Sequence, residues 1–103
     1  MNVTEFGQVV VDRLLRDEPD LTAELIELAR FAAAVEWADW LRGGRRRMAA
    51  AEFAEAVMSN LDRAATIPSI TTPWACSRGS SIGQAIQTAV MAAFDAAGAE
   101  AAP

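Results

Sequence analysis

Few residues in this chain could take part in chemistry. Its 103 residues include no histidine, no lysine and no tyrosine, and the one cysteine is Cys76. Without histidine there is no usual base to activate a serine or cysteine nucleophile, and no side chain that ordinarily titrates near neutral pH. One cysteine without histidine also cannot supply the usual ligands of a zinc site. The composition therefore predicts a protein that is not an enzyme and that holds no cofactor or metal.

One serine motif has the spacing of a hydrolase nucleophile. The segment Gly79-Ser80-Ser81-Ile82-Gly83 fits the pattern G-x-S-x-G. In hydrolases this pattern follows a strand and its serine works with a histidine. The chain has no histidine and no clear strand pattern, so we interpret Ser81 as the N-cap of a helix, with Gln84 as its capping-box partner. Ser80, Ser81 and Arg78 could also hold an anion at that helix start, although caps of this composition are common.

Cys76 falls in a predicted loop, between Trp74 and Arg78 in the sequence. A neighbouring arginine can favour a reactive thiolate. However, cysteine phosphatases place their arginine six positions after the cysteine, and here that position is Ile82. We therefore interpret Cys76 as a half-buried and unreactive thiol.

Charge is distributed unevenly along the chain. Residues 1–41 carry nine acidic residues against three arginines. Asp20, Glu24 and Glu27 fall on one side of the second predicted helix, and we call them the acidic ridge. The nearby Glu36 and Asp39 lie elsewhere on the same helix, and no Glu-x-x-His motif completes a metal site. The acidic ridge is therefore predicted to be solvated or to steer a basic partner.

A basic turn follows the acidic segment. It contains Arg42, Arg45, Arg46 and Arg47, with Gly43 and Gly44 between the first two. Such a turn can simply end a helix favourably, because a cation stabilises the helix C-terminus. Arginine side chains can also grip carboxylates on a partner or on a second copy, or contact phosphates. All three interpretations stay open at this stage.

The hydrophobic pattern predicts an all-α, single-domain bundle of about four mostly antiparallel helices. We expect helices from about Val3 to Arg16 with Asn2 as N-cap, from Pro19 to Arg42, from Arg45 to Ala65, and from Ser81 to a stop at Gly98. Residues 66–79, rich in proline, serine and threonine, are predicted to form an irregular loop. The helical domain then covers residues 1–98, and residues 99–103 form a frayed tail.

The second predicted helix has two separate apolar sides. One carries Leu21, Leu25, Leu28, Ala32 and Val35, and the other carries Ile26, Ala33, Trp37, Trp40 and Leu41. Such a helix is either central in the bundle or covered by another molecule. Because aromatic residues are enriched in interface cores, we predict a partner-binding face made of Ile26, Trp37, Trp40, Leu41 and Trp74.

These observations favour a small acidic protein that acts by protein–protein contact. An inhibitor or adaptor, including a phage or bacterial blocker of a CRISPR-type defence complex, is the class we expect by analogy. One alternative is a nucleic-acid-binding regulator that uses Arg42–Arg47, and another is a homo-oligomeric structural subunit, for which a dimer is the simplest form. The first residues resemble no signal peptide, so we expect a cytoplasmic protein that does not bind membranes.

Overall fold

A computed structural model of the chain describes residues 1–44, 46–65 and 79–101. Four helices account for most of this part: α1 Val3–Asp17, α2 Ala23–Arg42, α3 Ala50–Ala65 and α4 Ser81–Ala101. The described ranges contain no strand. Each helix packs beside the next one in the chain, and α4 closes the ring by packing against α1. The predicted all-α bundle of four helices is confirmed.

The first helix begins where its capping signal predicts. The Asn2 side-chain oxygen accepts a hydrogen bond from the Glu5 backbone N–H at 2.8 Å. This bond satisfies one of the N–H groups that have no partner within the first helical turn. The helix ends one residue later than predicted, at Asp17, where the Glu18 N–H donates to the Leu14 carbonyl at 2.9 Å.

The second helix begins at Ala23, four residues after the predicted start at Pro19. Thr22 is its N-cap, and the Thr22 hydroxyl oxygen accepts a hydrogen bond from the Leu25 N–H at 3.3 Å. Proline is favoured at the first helical position, but here Pro19 lies before the cap and outside the helix. At the other end, Gly44 has a positive φ of 85°, the left-handed conformation that glycine commonly adopts just after a helix.

The third helix begins at Ala50, five residues after the predicted start at position 45. Residues 46–49 are not helical. The Arg46 carbonyl accepts a hydrogen bond from the indole N–H of Trp40 at 2.8 Å, so this carbonyl is engaged with another helix. The Phe53 N–H donates to the Ala49 carbonyl at 3.1 Å, which is the first helical bond of α3.

The fourth helix corrects two predictions. Its N-cap is Ser80 and not Ser81, because the Ser80 hydroxyl accepts from the Gly83 N–H at 2.9 Å. Its last residue is Ala101, so Gly98 does not stop it. Glycine inside a helix costs only about 1 kcal/mol relative to alanine, and the alanines on both sides of Gly98 favour helix strongly.

Aromatic side chains from all four helices meet in the core. Phe6 of α1 stacks on Trp37 of α2 with ring centroids 4.4 Å apart, and Phe53 of α3 stacks on Phe94 of α4 at the same distance. Trp40 joins the two pairs through an edge contact with Phe94 at 5.2 Å. We call these five residues the aromatic cluster. No helix in the described part of the chain is both long and apolar enough to cross a membrane.

Candidate interaction surfaces

The predicted aromatic face of α2 lies inside the bundle. Trp37 is fully buried and Trp40 is 6% exposed. The indole N–H of Trp37 donates to the Met1 carbonyl at 3.0 Å, so the polar atom of this side chain is satisfied within the chain, as it is in Trp40. Trp37 therefore offers a partner no surface, and Trp40 offers very little, while the bundle stays folded. The structure places both tryptophans in the core of the bundle.

The other members of that predicted face have mixed positions. Ile26 and Leu41 are half-buried, and Leu41 packs against the core. Trp74 lies outside the described residues. Ile26 and Leu41 are aliphatic and lie far apart along α2, so they do not form an aromatic interface by themselves.

Neighbouring helices cover both apolar sides of α2. On one side, Asn60 of α3 donates from its amide to the Ala32 carbonyl at 3.3 Å and to a Glu36 carboxylate oxygen at 3.2 Å. On another side, Gly7 of α1 lies so close that an added Cβ would be 3.2 Å from the Arg30 carbonyl oxygen. Of the two explanations left open for a helix with two apolar sides, the structure supports the central position in the bundle.

The acidic ridge lies on the surface. Asp20, Glu24 and Glu27 are all exposed. One helical turn beyond Glu27 lies Phe31, whose exposed fraction of 64% is the highest among the large hydrophobic residues in the described part of the chain. At about 100° per residue, Glu24, Glu27 and Phe31 fall within about 60° of one another around the helix. Phe31 was not identified from the sequence, although it lies on neither apolar side of α2, where a large apolar residue is expected to be exposed.

A shallow cavity opens beside Phe31. Its volume is about 220 Å³, and it is lined by Val3, Thr4, Glu27, Arg30, Phe31 and Ala34. The Arg30 guanidinium lies 3.4 Å from the Glu27 carboxylate in an ion pair one helical turn long. The cavity therefore has an aromatic wall, small aliphatic groups and one carboxylate–guanidinium pair at its rim.

The exposed surface continues along α2 beyond Phe31. Three small apolar residues, Ala34, Val35 and Ala38, are half-buried and follow it on the same side of the helix. Arg42 lies at the end, where its 75% exposed side chain forms an ion pair with Asp39. We define the α2 outer face by the residues Glu24, Glu27, Phe31, Ala34, Val35, Ala38 and Arg42.

The basic turn is exposed but lies next to carboxylates. Arg42, Arg46 and Arg47 are exposed, and Arg45 lies outside the described residues. Arg46 contributes to a cavity of about 280 Å³ whose lining includes both Glu36 and Asp39. A phosphate approaching Arg46 from this side would meet two carboxylates, which repel it.

The remaining candidates for chemistry are the two serines at the start of α4, Cys76 and the possible metal ligands. Ser80 caps α4, and Ser81 is an exposed residue in the first turn of that helix. Cys76, Arg78 and the rest of the predicted loop lie outside the described residues. Within the residues that the structure describes, no three His, Cys, Asp or Glu side chains are grouped so that they could hold a metal ion.

The chain was compared with protein-family models, with curated proteins and with solved structures. None of the three comparisons finds a match. The candidate functional site is the α2 outer face, on which Phe31 is exposed.

Proposed function

We propose that this protein acts by binding other protein molecules, without catalysing a reaction, and that the α2 outer face makes the contact. The observation that carries the proposal is the 64% exposure of Phe31 on a helix whose other large apolar side chains are buried or half-buried. Exposing a phenylalanine to water is unfavourable by roughly 2 kcal/mol relative to burial, and contact with a partner would recover part of that free energy.

The surroundings of Phe31 also support a protein partner. An aromatic side chain with a charged rim is the usual composition of an interface centre. Small apolar residues beside it allow a partner to approach closely, and the ion pair of Glu27 and Arg30 provides charges at the edge. The inhibitor or adaptor class expected from the sequence fits within this proposal.

Nucleic-acid binding through the basic turn has weaker support. Arg46 shares a cavity with two carboxylates, those of Glu36 and Asp39, which disfavour a phosphate there. The whole chain has a net charge of −5, which repels a phosphate backbone at long range. We therefore place the contact on the α2 outer face.

Site-specific photo-crosslinking tests the proposal. A photoreactive phenylalanine analogue replaces Phe31 in one variant and Met91 in a matched control. Met91 is also an exposed apolar residue, on α4 and outside the α2 outer face. After irradiation in the native host cells, we expect discrete protein adducts from position 31 and none from position 91. If position 31 yields no discrete adduct, or if both positions yield the same adducts, the proposal is wrong.

A further inference from the structure

We propose that the partner of the α2 outer face is a second copy of this chain, with the two α2 helices antiparallel. This inference rests on the proposed function, because it names the molecule bound by the same surface. Charge and side-chain size change along that surface in the way that a two-fold symmetric pair requires.

The two ends of the α2 outer face have opposite charge. Glu24 and Glu27 lie toward the start of the helix, and Arg42 lies at its end. A two-fold axis perpendicular to α2 brings the start of one helix opposite the end of the other. Each acidic end then faces a basic end, which makes the surface complementary to itself, as a symmetric dimer requires. A parallel pair would instead place Glu27 opposite Glu27.

One register satisfies the charges and the side-chain sizes together. When the axis passes between Ala34 and Val35, Glu27 of one copy lies opposite Arg42 of the other. The same axis places Phe31 opposite Ala38. The same two-fold axis relates both pairs, so one arrangement of the two helices forms both of them. A large side chain opposite a small one lets two helices pack closely.

The existing contacts of these residues leave them able to pair. Arg42 is 75% exposed, and its bond to Asp39 is a surface ion pair between residues three positions apart. Such pairs contribute little to stability. A guanidinium has five N–H donors, so Arg42 can bind a second carboxylate without leaving Asp39. The cavity of about 220 Å³ beside Phe31 also provides space for side chains of the second copy.

A dimer of this kind must be weak. One helix face on each copy buries less area than the ~800 Å² per partner of a standard interface. Association should therefore depend on protein concentration, and it should decrease at high salt because exposed ion pairs are screened.

Sedimentation equilibrium over a concentration series tests the pairing. We expect the average mass of the unmodified protein to rise from 11.0 kDa toward twice that value as concentration increases. Phe31→Ser should weaken association at least tenfold, whereas Met91→Ser should leave it unchanged. A monomer at every concentration would overturn the proposal.

A charge exchange makes the test specific for the antiparallel register. Glu27→Arg and Arg42→Glu should each weaken self-association at least tenfold, because each places like charges opposite one another. An equimolar mixture of the two variants should associate again, because every opposed pair in the mixed dimer joins an arginine to a glutamate. A mixture that stays monomeric while the unmodified protein dimerises would contradict this register and overturn the inference.

The photo-crosslinking result separates this inference from the proposed function. An adduct at position 31 with the mass of two chains supports both. An adduct only with a different protein, such as a basic one attracted by the acidic ridge, supports the proposed function and overturns the self-pairing. No discrete adduct from position 31 overturns both.

Discussion

Two large aromatic residues of α2 have opposite environments, although they are only six positions apart. Trp37 is fully buried and stacks on Phe6, whereas Phe31 is 64% exposed. Six residues leave the two side chains about 120° apart around a helix, so they face different directions. Trp37 should therefore contribute to the stability of the bundle, and Phe31 should contribute to contact with another molecule.

Substitution by alanine should separate these two roles. Trp37→Ala should lower the free energy of unfolding by about 3–5 kcal/mol, because it removes a buried ring and leaves a cavity. Phe31→Ala should change that free energy by no more than about 0.5 kcal/mol, as is usual for an exposed residue. Urea unfolding followed by circular dichroism measures both.

If Trp37→Ala does not fold, Trp37→Phe keeps a ring in the core while removing the hydrogen bond to Met1. Its unfolding should still be measurable, with a smaller loss of stability. Equal losses for the substitutions at positions 31 and 37 would contradict the assignment of these residues to surface and core.

The sequence shows directly which residue types are absent, but it does not show which side chains are buried. The lack of histidine and lysine could be seen directly. The burial of Trp37 and Trp40 could not be deduced, because a helical wheel shows which residues share a side but not which neighbouring helix covers it. Phe31 could not be identified from periodicity, because it is a single large apolar residue on the side of α2 that carries Glu24 and Glu27. Apolar periodicity identifies groups of apolar residues that share a side of a helix.

At the scale of the helices, the periodic apolar pattern predicted the existence and order of all four correctly. Their starts were less predictable. Thr22, not Pro19, defines the start of α2, and Ser80, not Ser81, defines the start of α4. Ser80 and Ser81 carry the same capping side chain, so the choice between them depends on backbone angles that the tertiary structure sets.

Two adjacent serines allow a direct test of the α4 cap. Ser80→Ala should lower the free energy of unfolding by about 1 kcal/mol, because the Gly83 N–H loses its side-chain acceptor. Ser81→Ala should be neutral or slightly stabilising, because alanine favours helix more than serine does. Thermal or urea unfolding of the two variants gives the comparison. The opposite order would show that Ser81 is the cap after all.

The contact between α1 and α2 depends on Gly7. A Cβ at this position would lie 3.0 Å from Cγ of Arg30 and 3.2 Å from its carbonyl oxygen. The carbonyl belongs to the backbone of α2, so the helices must separate to admit a larger side chain.

Gly7→Val should therefore lower the free energy of unfolding by about 1–3 kcal/mol through overpacking. Valine favours helix slightly more than glycine does, so a loss at position 7 must come from overpacking. Gln8→Val, at the exposed neighbouring position, is the control for placing valine in α1. Urea unfolding of both variants gives the difference. Equal effects would mean that the close approach at Gly7 contributes nothing.

At the scale of the whole molecule, the aromatic cluster predicts how the bundle unfolds. It joins α1 to α2 through Phe6 and Trp37, and α3 to α4 through Phe53 and Phe94. Phe6 also contacts Phe53 at 5.5 Å, and Trp40 contacts Phe94 at 5.2 Å. Because these contacts connect all four helices, no helix pair can leave the bundle without disrupting the cluster.

We therefore expect a single cooperative transition in which loss of helix and loss of aromatic packing coincide. Far-ultraviolet circular dichroism reports on the helices, and tryptophan fluorescence reports on the cluster. A Trp74→Phe background restricts the fluorescence to Trp37 and Trp40, both of which belong to the cluster. Superimposable urea curves from the two probes would fit one core shared by four helices. If fluorescence changed at lower urea concentration than helicity, the helix pairs would be stable apart from each other, and the cluster would be a contact between them rather than the common core.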